Sequence, residues 1–269
     1  MMFVLGRPLD PRHTTNLALI CVLPAVLAGL WVSQVAAGAA PVEGLYASLR
    51  GMLAVFLGWA LARELDPDHP LSAFAAAALA LGGVVWLPTS VLLLNVLFLL
   101  PLRTINRTVG SPASAADAAV MLGLLWFVWE GYAVVGVGLA ATFLLDGLLS
   151  APNRRLMGLA AVPIGVLAVS SATGEGPAFA GLAWPWFGVV GAAALLFLPV
   201  ILGSVRLVSV GDRTAAPLDP RRVQAAQTLA LAVAGGTALA GEPGVVALLP
   251  LWSAIAGVGL YRVTVLAPR

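Results

Sequence analysis

Every basic side chain in this chain is Arg, and thirteen of the fourteen fall in alternate gaps between its apolar stretches. Arg7 and Arg12 precede the first stretch, Arg63 follows the second, and Arg103 and Arg107 follow the fourth. Arg154 and Arg155 follow the sixth, Arg206, Arg213, Arg221 and Arg222 lie between the eighth and ninth, and Arg262 and Arg269 close the tenth. Loops that stay on the side where a membrane chain is made retain Arg and Lys. The alternation therefore predicts about ten crossings with both termini cytoplasmic. Only Arg50 stands outside the pattern.

Composition agrees with the threading. The 269 residues are 61% hydrophobic and 10% charged, whereas a soluble domain carries roughly 25% charged residues. In a bilayer the backbone must satisfy itself, which leaves helices or a closed barrel. Continuous runs such as Ala73 to Trp86 lack the two-residue alternation of barrel strands, so helices are expected. The fold class read from the sequence is all-α: a polytopic transmembrane helix bundle of about ten spans in five hairpins. Residues 1–269 form a single integral membrane domain, because no loop is long enough to fold alone.

The expected spans are Thr15–Ala37, Gly44–Arg63, Pro67–Trp86, Thr89–Leu102, Ser114–Trp129, Tyr132–Leu149, Arg155–Ser171, Pro185–Val205, Arg221–Ala240 and Pro243–Val263. The first run, followed by Ala37-Gly38-Ala39, imitates a signal peptide. At Asn16 to Ala37 it exceeds the usual apolar core of about 7–15 residues, so it reads as a retained helix. The outer turns hold Glu43, Glu130, Glu175 and Glu242, and all seven Asp residues fall on the inner side. Trp86, Trp126, Trp129, Trp184 and Trp186 sit at outer helix ends, where an interfacial belt belongs. Trp59 and Trp252 do not. Pro101 directly follows Leu100, so either the fourth helix continues toward Arg107 or Pro67 to Arg103 is a re-entrant pair. Full spans are the preferred reading. Pro163, Pro199 and Pro250 are expected to kink their helices.

Several chemistries are excluded. The pI near 9.2 reflects Arg beside apolar spans, a headgroup and topology pattern with no nucleic-acid signal. The single Cys21 rules out an intrachain disulfide and a Cys-rich metal site. Without Lys there is no Schiff base. Gly-x-Ser-x-Gly and phosphate-loop motifs are missing, and no metal site is expected. Abundant Ala, Gly and Arg with no Lys point to a prokaryotic source and hence a multi-pass protein of the plasma membrane.

Two groups of residues could carry function. Arg50 lies about two turns into its helix, and an intramembrane charge is a functional candidate by default. With Asn95 near mid-span and Glu130 as an outer-side partner, it forms the expected substrate-binding set of a small-solute permease, which would need no cofactor. The alternative is a membrane enzyme acting on a lipid or prenyl phosphate at the cytoplasmic rim. There Asp66 and Asp68 would hold Mg²⁺, while Arg103, Asn106 and Arg107 take the phosphate. The bland reading of that rim is solvated loop charges and topology arginines. A third reading is a non-catalytic subunit with a membrane-protein partner. The bilayer itself is a partner in all three.

Three local features add expectations. Leu9-Asp10-Pro11, Leu65-Asp66-Pro67 and Leu218-Asp219-Pro220 each read as a helix start, with Asp as N-cap and Pro in the first turn. Asp146, at a helix C-terminus where the dipole disfavours an acid, should pair with Arg154, Arg155 or an Arg of a neighbouring loop. Gly131, Gly136, Gly138, Gly188, Gly191, Gly235, Gly236, Gly257 and Gly259 are expected at close helix contacts.

Overall fold

The computed structural model describes residues 4–6, 9–87, 90–129, 132–172 and 180–265. The apolar stretches become helices α1 (Thr14–Ala36), α2 (Pro41–Leu65), α3 (Ser72–Trp86), α4 (Leu92–Asn106), α5 (Ala115–Val128) and α6 (Ala133–Leu148). The chain continues as α7 (Arg154–Met157), a 3-10 turn (Gly158–Ala160), α8 (Ala161–Ala172), α9 (Trp184–Gly203), α10 (Pro220–Ala238), α11 (Glu242–Ala247) and α12 (Leu249–Val265). Among the described residues there is no strand, and the antiparallel bridge between Val210 and Pro217 is isolated. The fold is all-helical.

Four stretches are long and apolar enough to cross a membrane: Thr14–Ala36, Pro41–Leu65, Arg154–Ala172 and Trp184–Gly203. The helices α3, α4, α5, α6 and α12 are apolar but shorter. At 15 residues each, α3 and α4 rise about 22 Å, short of the roughly 30 Å hydrocarbon core of a bilayer.

Burial is inverted relative to a protein made for water. Leu17, Ile20, Val22, Leu195, Leu198 and Leu202 of α1 and α9 are exposed, whereas Glu64, Asp66, Asn95, Asp117, Asp146, Arg222 and Gln227 are buried. Such an apolar exterior suits lipid tails and would drive association in water.

The tightest packing joins α2, α3 and α12, and small residues make it possible. A methyl at Gly257 would stand 2.5 Å from the backbone nitrogen of Ala76. At Gly58 it would meet the Ala80 methyl at 3.0 Å. Dispersion forces and close backbone approach hold membrane helices together where the hydrophobic effect is weak. Not every glycine expected at a contact makes one. A methyl at Gly188, Gly191 or Gly235 would enter open space, and Gly131 lies outside the described residues. Gly51 and Gly58, not singled out from the sequence, do contact neighbours.

Several local expectations change. Pro101 lies inside α4, which runs on to Asn106 and stops at Arg107 in the left-handed region (φ 56°). The kink expected at Pro250 is a full break: α11 ends at Ala247, Leu248 is non-helical, and α12 restarts at Leu249. Pro is tolerated in that first turn, where its missing N–H needs no partner. Of the three Leu-Asp-Pro starts, only Asp219 caps a helix, accepting from the Arg221 N–H at 2.9 Å. Asp10 closes a turn on Arg12 ahead of α1, and Asp66 ends α2 instead of beginning α3. Asp66 is held by Arg262 and His69 instead, and Asp10 lies three residues before His13, the residue that precedes α1. Trp86, Trp126 and Trp184 are strongly exposed at helix ends, and Trp129 donates to Ser170 Oγ at 2.6 Å.

Gly257→Leu is expected to destabilise the purified protein by at least about 1–3 kcal/mol, the usual cost of overpacking. Gly188→Leu, facing open space, should leave thermal unfolding in mild detergent unchanged.

Candidate functional site

The C-terminal ends of α2, α4, α6 and α12 and the N-terminal end of α10 are tied together by ion pairs. Arg103 Nε donates to Glu64 Oε1 at 3.0 Å, Thr108 Oγ1 to Glu64 Oε2 at 2.6 Å, and Asn106 Nδ2 to the Glu64 carbonyl at 2.7 Å. Arg262 grips Asp66 through two nitrogens, at 2.9 and 3.2 Å, while His69 Nδ1 sits 2.9 Å from the same carboxylate. Asp146 Oδ1 receives Arg222 at 2.9 Å and Arg107 at 3.0 Å. Arg222 also donates to the carbonyls of Ile105 at 2.9 Å and Ser150 at 2.7 Å. The carboxylates are at most 1% exposed. These are not solvated loop charges: they are buried pairs whose members each need the other. The expectation that Asp146 pairs with a neighbouring arginine holds for Arg107 and Arg222, while Arg154 and Arg155 are exposed.

Beside this knot the segment between α9 and α10 folds back on the bundle. Its Gly211 and Leu218 N–H groups pair with Ala216 and Ser209 carbonyls, and its Asp212 and Arg213 N–H groups donate to the carbonyls of Thr108 and Val109. Asp68 docks it, accepting from Val208 N–H at 3.0 Å and Ser209 N–H at 2.8 Å. Burial alone would raise the Asp68 carboxyl. The Ser209 hydroxyl, the two N–H groups and nearby His69 outweigh it and hold the pKa below its ordinary value.

The docked segment walls a cleft of about 910 Å³ whose other side is the start of α1, with Asp10, His13, Asn16, Arg63 and Arg213 at its surface. Asn16 and Arg63 also line an adjoining chamber of about 30 Å³ bounded by Phe56, Trp59, Glu64 and Arg103. That volume holds one or two waters. Arg63 stacks over the Trp59 ring at 5.6 Å. Phe56 lies nine residues before the end of α2, so the chamber reaches about 14 Å along a helix of roughly 37 Å. A second cleft, about 210 Å³, opens at the other end of α2 among Gln34, Ser48, Arg50 and Ser90. Successive helical residues turn by about 100°. Ala47, Arg50, Gly51 and Ala54 therefore face away from Phe56, Trp59, Ala60 and Arg63, and the two clefts lie on opposite faces of α2.

The residues singled out from the sequence are dispersed. Arg50 lines the smaller cleft. Asn95 is buried, with its amide donating to the carbonyls of Val91 and Ala247 at 2.9 Å each. Glu130 lies outside the described residues. The rim set divides among the networks: Arg103 and Asn106 on Glu64, Arg107 on Asp146, Asp66 on Arg262, and Asp68 on the docked segment. Both carboxylates assigned to Mg²⁺ thus already have donors. No group of three or more His, Cys, Asp or Glu side chains placed to share a metal occurs among the described residues. Sequence reading missed the α9–α10 segment as a wall and Trp59 as a chamber residue. For Trp59 a signal existed, since its position did not fit the interfacial belt.

Because the folded-state pKa of Asp68 is depressed, its docking contribution is complete above the ordinary carboxylate value near 3.9. It is lost as pH falls through the lower folded value. Asp68→Asn should undock the segment at every pH and speed tryptic cleavage after Arg206 or Arg213 several-fold in detergent. An unchanged cleavage rate would remove Asp68 from the role.

Comparison with known proteins found no matching family model, no matching curated protein and no matching solved structure.

Proposed function

We propose that this chain is a membrane permease for a small polar solute, built from about ten membrane-inserted segments in five hairpins. The arginine-rich end faces the compartment in which the chain is made. The observation that carries the reading is a pair of cavities at that end that would join as a funnel: a wide polar cleft and, sharing Asn16 and Arg63 with it, a small chamber against Trp59 about two-fifths of the way along α2. A group acting only on lipid headgroups at the rim would need no such depth.

The chamber holds one or two waters as it stands and would have to widen for a solute, but its chemistry suits a polar guest. Arg63 and Arg103 supply donors, Glu64 an acceptor, and Trp59 an indole N–H that has no hydrogen-bond partner among the described residues. The cleft carries both signs, with Arg63 and Arg213 against Asp10, Asp68 and Asp212. That balance fits a zwitterionic or neutral polar solute better than a strongly charged one. Passage would require the Phe56–Trp59 end of the chamber to open toward the opposite side of the membrane.

The test uses cysteine accessibility. Cys21 is the sole native cysteine, so Cys21→Ala gives a clean background for Ala60→Cys in the chamber wall. In oriented vesicles a membrane-impermeant thiol reagent should label this position from the arginine-rich side and, as the protein alternates, from the other side also. Leu97→Cys, buried away from every cavity described, should stay unlabelled. Labelling of Ala60→Cys from one side alone would defeat the permease reading.

A further inference from the structure

The smaller cleft has a character the funnel does not. Arg50 is exposed within it and has neither a hydrogen bond nor an ion pair among the described residues. The arginines of the knot (Arg103, Arg107, Arg222 and Arg262) each meet a carboxylate. Opposite Arg50, Ser90 is 2% exposed, and its hydroxyl has no partner among the described residues. A buried hydroxyl left unsatisfied costs about 1–3 kcal/mol, so its retention calls for an explanation. Ser48 Oγ, on the same wall, is held by the Gly44 carbonyl at 2.6 Å and so keeps its own lone pairs toward other donors.

The lining offers donors from Arg50, Ser90 and Gln34 and contains no carboxylate. An Arg fork with a serine hydroxyl and the Gln34 amide suits a group with several oxygens and a negative charge. The volume of about 210 Å³ falls below the roughly 300 Å³ at which drug-sized pockets begin. It therefore accommodates one compact group, not a whole metabolite. Val85, on the lining, is itself exposed and apolar.

From this cleft we infer a phosphate site: Arg50, Ser90 and Gln34 bind a single phosphate group, carried by a phospholipid or free in solution. The inference is independent of the funnel, because the site occupies the opposite face of α2. Arg50 supplies the charge and two of the hydrogen bonds. Ser90 donates the bond that its buried hydroxyl otherwise lacks.

Two measurements on the detergent-purified full chain separate the possibilities. Native mass spectrometry of protein extracted with its own lipids should find a retained phospholipid whose occupancy falls about tenfold in Arg50→Gln, the equivalent of one charge-assisted hydrogen bond. Ser90→Ala should show a smaller loss, and it keeps the test valid if Arg50→Gln fails to fold. In delipidated protein, titration with inorganic phosphate reads the free-anion arm. A thermal shift that Arg50→Gln abolishes supports the same site with solution phosphate as its ligand. Lipid retention without a phosphate response supports the site with a headgroup as its ligand. If neither phospholipid retention nor the phosphate response differs between the wild type and both variants, the assignment is overturned.

Discussion

Charged side chains that leave water must find one another, and in this chain they do so at one end of the helix bundle. Glu64 with Arg103, Asp66 with Arg262, and Asp146 with Arg107 and Arg222 join five helices within a few ångströms of their termini. Removing one member of a buried pair typically costs about 3–5 kcal/mol, because the survivor is left uncompensated. Each pair therefore locks the positions of two or three helix ends. The knot also fixes what lies beside it. Thr108 on Glu64 sets the turn after α4, and that turn receives the α9–α10 segment that walls the larger cleft.

Between the ends of the bundle, charge gives way to shape. Gly58 and Gly257 let α2, α3 and α12 approach until backbones and small side chains touch. The two clefts lie on opposite faces of α2, which forms part of the lining of each.

Local physics was legible in the sequence, and long-range pairing was not. Runs of apolar residues located the helices to within a few residues, apart from the break at Leu248 and the later start of α3 at Ser72. Hydropathy is a property of neighbouring residues, so it reads well. The placement of charge in alternate gaps brought Arg103, Arg107, Arg222 and Arg262 to one end together with Asp66 and Asp146, yet did not say which arginine meets which acid. Asp66 and Arg262 are 196 residues apart, and Asp146 and Arg222 are 76 apart, separations at which no spacing rule operates. The same limit explains Asp66, which resembles an N-cap locally but is claimed by Arg262. It explains the glycines too, since nothing local tells Gly257, pressed on Ala76, from Gly188 in open space. Of the candidate site, Arg50 was visible as an isolated charge, whereas Ser90 and the cleft around it emerged only from packing.

The arginine-rich end behaves as an energetically coupled network and not as a set of independent solvated charges. A double-mutant cycle on Asp146→Asn and Arg222→Gln, read by unfolding in mild detergent, tests it directly. The account predicts strong coupling: the double variant should be more stable than the summed single losses imply by about 1 kcal/mol or more. Losses that add within about 0.5 kcal/mol, the behaviour of independent sites, would contradict it.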